Sequence, residues 1–430
     1  MSGTVVNNTV RDSGVIAATA AGLNWNATAI TASTVTVVGG NGYWINTTSN
    51  TCTITLPSSA EKGDQIVLID YLRTWGTNKI IIDSNGLNYQ GQDDTYTVEY
   101  NTDGQSVNIV YSDATQGWIP LDDDVSAYEP TPPPTQKGIF GFGANGGITG
   151  VTNLISSSGV VATDTGAVGS ARKMLGGAGY SDKGIFGFGE ASGGVASMTN
   201  LVSNSGVVAA DVTGVGSVRY QCAAASYGTD KAIFGYGNNG GPTPSAASAI
   251  TNLVSNAGVV ATDTSGVGTA RTQPAAVGYG STGQAIFGYG NTYALGHPKQ
   301  NLTNLVSNTG VVSADVTGVG TARSGLAACS YGGDKAIFGF GIAGAKTAVT
   351  NLVSNTGVVA TDVSGVGTTR LNLAACGYGG DKGIFGFGHT AGPMVSLTNL
   401  VSNSGVVASD TTGVGTAREG AASSSYSFSA

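Results

Sequence analysis

Six copies of one phrase occupy residues 137–430, and no other feature limits the possible fold as much. The phrase reads Lys-(Ala/Gly)-Ile-Phe-Gly-(Phe/Tyr)-Gly, a variable stretch, Thr-Asn-Leu-(Val/Ile)-Ser, Gly-Val-Val, an Asp, and an Arg eight residues after that Asp. Its copies begin at Lys137, Lys183, Lys231, Gln284, Lys335 and Lys382, at spacings of 46 to 53 residues. A period of that size marks propellers and solenoids, in which each unit is one supersecondary module. Function is therefore sought in what departs from the repeat.

Within a copy, the run from Lys335 to Gly341 alternates. Ala336, Phe338 and Phe340 fall on one face of a strand, Ile337, Gly339 and Gly341 on the other. Rings on one face and glycines on the opposite face let a sheet stack on a copy of itself, each buried Phe contributing ~1.5–3 kcal/mol. Thr350–Ser354, Val358–Thr361 and Leu373–Tyr378 read as three further strands, and four strands make one propeller blade. The ends of the array are unequal. Only prolines precede Lys137, whereas the chain closes on a surplus small-residue strand, Arg418 to Tyr426. The two deficits cancel if that last strand completes the first blade, while an open solenoid would want polar caps at both ends. The expectation for 137–430 is a six-bladed β-propeller closed by its C-terminal strand. The order of elements resembles the kelch repeat, with two departures: the double Gly is Gly-Phe-Gly or Gly-Tyr-Gly, and Val stands for the outer-strand Trp.

Residues 122–136 contain Asp122-Asp123-Asp124 and Pro132-Pro133-Pro134. Proline-rich chain is extended and semi-rigid, so this stretch reads as a linker. Before it, residues 41–121 read as an all-β, sandwich-like domain. Thr51–Leu56 and Thr95–Tyr100 alternate, the latter placing Tyr96, Val98 and Tyr100 on one face. Gln65–Ile69 and Lys79–Ile82 are short strands, and Asn85-Gly86 and Asp103-Gly104 mark turns. Thr55-Leu56-Pro57, Gly63-Asp64, the paired strands, Asn85-Gly86 and Gly117-Trp118 resemble a domain recurring in bacteriophage tail-fibre and other virion proteins, those of marine cyanophages especially. The resemblance implies a homotrimer built into a virion and made in the host cytoplasm. Residues 1–40, rich in Thr, Ala and Asn, carry two readings that stand level: a segment that orders against other virion proteins, or a frayed leader or first pair of strands.

Charged residues are 10% of the 430-residue chain and the net charge is −8, which argues against nucleic acid, whose phosphates need clustered Lys and Arg. No apolar run approaches the ~20 residues of a membrane span, so no membrane insertion is expected. Cys329 and Cys376 share one repeat position among alanines and read as buried small side chains rather than a disulfide.

Six arginines (Arg172, Arg219, Arg271, Arg323, Arg370, Arg418) each follow an aspartate by eight residues: Asp164, Asp211, Asp263, Asp315, Asp362 and Asp410. Two readings stand. Six guanidinium groups at one mouth of a channel could hold an anionic sugar, or each Arg–Asp could be a brace at the link between blades. Sixfold regularity favours the brace. All but Asp164 also head Asp-x-x-Gly turns, which their side chains would stabilise locally. No acid/base pair presents itself, since Glu190 and Glu419 are the only glutamates of the repeats and their spacing does not couple them. The Trp of a sialidase Asp-box is absent. Gly141-x-Gly143-x-x-Gly146 precedes no helix, so it is not a dinucleotide motif. No metal-ligand cluster and no cofactor site is expected, and the chain is read as no enzyme.

What varies is one loop per copy: 144–151, 190–198, 238–250, 291–302, 342–349 and 389–397. Both histidines of the chain lie there. Tyr293, His297, Lys299, Lys346 and His389 are the candidate ligand-binding residues, because loops on rigid frames are where recognition concentrates. The expected function is a virion protein of tail-fibre type displaying a propeller to a host-surface polysaccharide. A head or neck decoration fibre without receptor role is the alternative, and a glycan-cleaving enzyme is less favoured.

Overall fold

The computed structural model describes residues 23–122, 135–166, 168–241, 246–292 and 296–427. The chain divides into two compact units, Met1–Pro133 and Pro134–Ala430. All regular structure among the described residues is β.

The first unit holds β1 (Asn24–Trp25), β2 (Thr34–Thr36), β3 (Asn41–Ile45), β4 (Cys52–Thr55), β5 (Gln65–Asp70), β6 (Ile80–Asp83), β7 (Val98–Tyr100), β8 (Ser106–Asp113) and β9 (Gly117–Asp122). One sheet has the order β1-β3-β5-β8-β9 and the other β2-β4-β6-β7. Up to β6 the chain changes sheet at every step, and strands two apart pair in parallel. The strands at 65–69 and 79–82 therefore do not pair with each other, against expectation. The corner between them explains why. The Asp70 carboxylate accepts from the N–H groups of Thr74, Trp75 and Gly104, turning the chain off its sheet. Trp75 is buried at that corner. Period-two alternation sends Ile54, Ile66, Leu68, Ile80, Ile82, Val107 and Ile109 into one core, which includes Trp75 and Trp118. The strand expected at 95–100 begins only at Val98, because Thr95 donates its N–H and hydroxyl to Asp93 and makes a turn instead. Asn85 and Gly86 have φ of 55° and 84°, as a tight hairpin-type turn requires.

Of the N-terminal segment 1–40, β1 and β2 belong to these sheets, and Trp25 stacks on Trp44 at 4.7 Å. Residues 1–22, and 123–134 of the linker, lie outside the described residues.

In the second unit each copy forms a small antiparallel sheet with the Ile-Phe-Gly strand in the middle. In the fifth copy Lys335–Gly339 pairs with Ala327–Tyr331 on one side and Thr350–Val353 on the other. In the first copy β10 (Lys137–Asn145) pairs with β11 (Gly147–Ile155) and with Ala422–Tyr426, so the last strand supplies the partner that the first copy lacks. The fourth strand expected in each copy is not a ladder strand. It makes two isolated bridges, Val353↔Val359 and Thr350↔Val363, with one extra residue on the outer side. The Asn351 side chain fills the gap, its Nδ2 donating to the Ala360 carbonyl at 3.0 Å.

The face assignment is corrected at one residue. Phe338 lies where alternation puts it, but Phe340 has φ of 65° and so turns to the face of Ile337. There it meets Phe385 of the next copy, ring centroids 5.2 Å apart, while Phe338 meets Tyr289 of the copy before. Each sheet thus offers an aromatic ring to both neighbours. The glycines are needed for that approach: a Cβ on Gly339 would sit 2.7 Å from Phe385 Cζ, and one on Gly386 2.7 Å from Phe140 Cζ. The hairpin turns are joined in sequence as well. Ser181 donates its N–H to Asp230 O, Gly228 to Gly283, Gly280 to Asp334, Gly332 to Asp381, Gly379 to Gln136 and Ser427 to Asp182, a closed cycle of six bonds.

Candidate functional site

All six repeat arginines have no exposed surface at all. A guanidinium in that state is out of reach of any ligand, which removes the anion-binding reading. Each Arg lies over the aromatic ring of one copy and donates to an Asn of the next. Arg323 sits 4.4 Å from the Tyr289 ring centroid and donates Nη2 to Asn351 Oδ1 at 2.6 Å. Arg418 covers Phe387 at 3.9 Å and donates to Asn153 Oδ1 at 2.7 Å, 265 positions away. The aspartate stands behind that Asn and belongs to the following copy, not to the position eight residues before the Arg. Arg172 meets Asp211 at 3.3 Å, Arg219 meets Asp263 at 3.7 Å and Arg370 meets Asp410 at 3.6 Å. Nor do these aspartates serve their own Asp-x-x-Gly turns. Asp362 accepts from the Thr321 N–H and hydroxyl of the preceding link and from Asn351 Nδ2.

The residue that sequence reasoning missed here is the Asn. Asn153, Asn200, Asn252, Asn304, Asn351 and Asn399 are fully buried, and the sixfold recurrence of an Asn directly before the apolar Leu-(Val/Ile) pair is the signal the sequence offers. Burial pulls every one of these guanidinium groups below its ordinary pKa, Arg370 and Arg418 to about 10, which leaves them cationic at neutral pH. For the aspartates burial acts upward. Hydrogen bonds from the Ser/Thr hydroxyl, the Asn amide and the Ser/Thr N–H outweigh it, with the Arg charge adding, and hold all six carboxyls below the ordinary value.

The variable loops begin directly beside the residue after each Arg. Lys173 bridges to Glu190, Tyr220 to Asn238, Thr272 to Asn291, Ser324 to Ile342, Leu371 to His389 and Glu419 to Ala144. Loops and links therefore share one side of the repeat unit. One residue further on, a second closed cycle of backbone hydrogen bonds runs through the links. Gln221 donates to Met174 O, Gln273 to Gln221, Gly325 to Gln273, Asn372 to Gly325, Gly420 to Asn372 and Met174 to Gly420. All six residues have positive φ, between 52° and 62°. The first of these two link positions is a different residue in every copy, and the second is Met, Gln, Gly or Asn, although the Arg before them never changes, a break in the repeat that marks them in the sequence.

Side chains join across this ring. Thr272 Oγ1 donates to Asn291 Oδ1 at 2.8 Å, Asn291 Nδ2 to Gln273 Oε1 at 3.2 Å, and Gln273 Nε2 to Asn372 Oδ1 at 3.2 Å. Asn372 Nδ2 donates to Glu419 Oε2 at 2.9 Å, and His389 Nδ1 stands 3.6 Å from that same oxygen. The Gln273–Asn372 bond passes over Gly325, where a Cβ would lie 2.9 Å from Asn372 Oδ1.

Of the expected site residues, His389 belongs to this network, and Lys346 reaches the same loop by donating Nζ to the Thr390 carbonyl. Lys299 bridges to Asn291, one step from the network, and His297 is exposed in that fourth loop with φ of 48°. Tyr293 lies outside the described residues. Among the described residues no His, Cys, Asp and Glu group is arranged to hold a metal ion. The four cysteines are buried and unpaired, as the reading of Cys329 and Cys376 required. No protein-family model matches the chain, and no curated protein matches it.

Proposed function

We propose that the second unit is a six-bladed β-propeller and that the chain is a structural protein of a virion, of tail-fibre type, displaying that propeller to a polysaccharide on the host surface. One observation carries the recognition half of this reading. Six near-identical sheets start each variable loop beside a variable link residue, on a single side, and the polar network from Thr272 to His389 joins two of those loops across the links. A frame this uniform with diversity gathered on one side suits recognition by loops. The virion assignment rests on the sequence motifs of the first unit, and it carries with it attachment through the N-terminal region and a homotrimer.

The full chain, fluorescently labelled, is to be incubated with a panel of bacterial strains of typed surface polysaccharide. Saturable binding to some strains, competed by their purified polysaccharide, is the expected result. Absence of binding to every strain would end the receptor role in favour of a decoration fibre, and release of reducing ends would replace it with hydrolysis. Light scattering of the same sample should return three times the 42.6 kDa chain mass. A monomer would remove the trimeric fibre from the proposal.

A further inference from the structure

The six ring residues are conformationally equivalent, and glycine serves at two of them, Gly325 and Gly420, each with φ of 62°. The other four carry side chains in the left-handed region, where glycine would be unstrained. Asn tolerates it, but Met and Gln have no such excuse, and strain of this kind gathers at functional sites. The fold alone therefore does not account for Met174, Gln221 and Gln273.

Their chemistry is specific. The Gln221 side-chain amide and Glu419 Oε1 have no hydrogen-bond partner among the described residues, while Glu419 Oε2 is held by Asn372. Of the nearby carboxylates, Glu190 is paired with Lys173 at 3.4 Å, whereas Glu419 has only His389, at 3.6 Å from Oε2, beside its bond from Asn372. The arginines that would attract an anion are sealed away. Amides that donate and accept, beside one carboxylate oxygen left over that repels anions, fit a neutral ligand rich in hydroxyl groups. Met174, whose sulfur leans over Gly420, adds an apolar flank.

Resting on the recognition reading above, we propose that the ligand is a neutral saccharide and that it sits on this ring, held by Gln221, Gln273, Asn372 and Glu419, rather than on the loop tips. The test uses the intact chain on a printed array of neutral and acidic oligosaccharides, alongside the cell-binding assay. Gln221→Gly, Gln273→Gly and Asn372→Gly are suitable variants, because the ring already accommodates glycine at two of its positions, and thermal unfolding reports that each is folded. Wild-type chain should retain a subset of neutral glycans, and each variant should weaken that binding at least tenfold. Equal binding by folded variants would overturn the ring as the site while the recognition reading survives. Retention of acidic glycans only, or binding to cells with no glycan retained, would overturn the neutral saccharide. Binding to neither cells nor glycans would defeat the recognition reading itself.

Discussion

The two units hide their apolar surface in opposite ways. In the first, two sheets of different strands share a single core of large, unlike side chains, and each of Ile54, Leu68, Trp75, Ile109 and Trp118 is used once. In the second, each sheet is too small to hide either face, so the core is divided among the junctions and the same solution recurs at each. A ring from one copy lies on a glycine of its neighbour, and a buried Arg bridges the aromatic of one copy and the Asn of the next. The first unit can lose a contact locally. In the second, the aromatic, Arg and Asp contacts at each junction belong to two copies, so damage at one junction is damage to the set.

That contrast can be broken at the closing strand first. Truncation after Ala417 removes Arg418 and Ala422–Tyr426, leaving β10 unpaired on one side and Asn153 without its cation. Calorimetry should show the transition of the second unit lost and that of the first retained. Survival of both transitions would mean that the copies do not depend on closure. Next in size is Arg323→Ala, which leaves a buried polar pocket and should cost the second unit about 3–5 kcal/mol in urea. Ile109→Ala should cost about 2–5 kcal/mol in the first unit only. An Arg323→Ala chain that melts in stages, rather than at one lower midpoint, would deny the coupling between copies.

Acid should separate the units more gently. The six brace aspartates are held below their unfolded value, so below about pH 4 the unfolded chain takes up protons that the folded chain refuses. Their contribution is present above that pH and is lost as pH falls through the depressed values. The lowered carboxyls of the first unit, Asp93 and Asp113, are exposed turn residues. Denaturant midpoints between pH 5 and 2.5 should therefore fall more steeply for the second unit. Parallel curves would show that the brace carries no pH-dependent stability. The smallest effect belongs to the six outer valines, Val160, Val207, Val259, Val311, Val358 and Val406, which are 65–67% exposed. Val358→Thr should shift stability by no more than about 0.5 kcal/mol.

Much of this was legible in the sequence because repetition amplifies a signal. Arg, Asp, the Phe-Gly spacing and the surplus final strand each show themselves through their copies. Two things were not. The sign of φ at Phe340 cannot be read from alternation, which assumes an unbroken strand, so its face came out reversed. The partner of each Asp is also hidden, because the eight-residue spacing suggests a pair within one copy. The bond forms across a junction instead, where only the register of neighbouring sheets brings Thr321, Asn351 and Asp362 together. In the candidate site the loops stand out because each varies over a whole stretch of chain. The link positions after each Arg vary just as much, but they are single residues beside a constant one. In the first unit, with nothing repeated, strands were found and their partners were not, since parallel pairing two steps apart leaves no local mark.

Closure by the last strand has a consequence in time. Arg418 Nε donates to the carbonyl of Phe142, a partner 276 positions earlier in the chain. At synthesis rates of about 5–20 residues per second, β10 waits on the order of 15 to 60 s for its second neighbour. Through that interval it presents an open edge of small and aromatic residues, the kind of edge that joins other chains. Nascent copies made close together would therefore be able to lend one another a final strand, and the yield of correctly closed protein should fall as synthesis becomes more crowded.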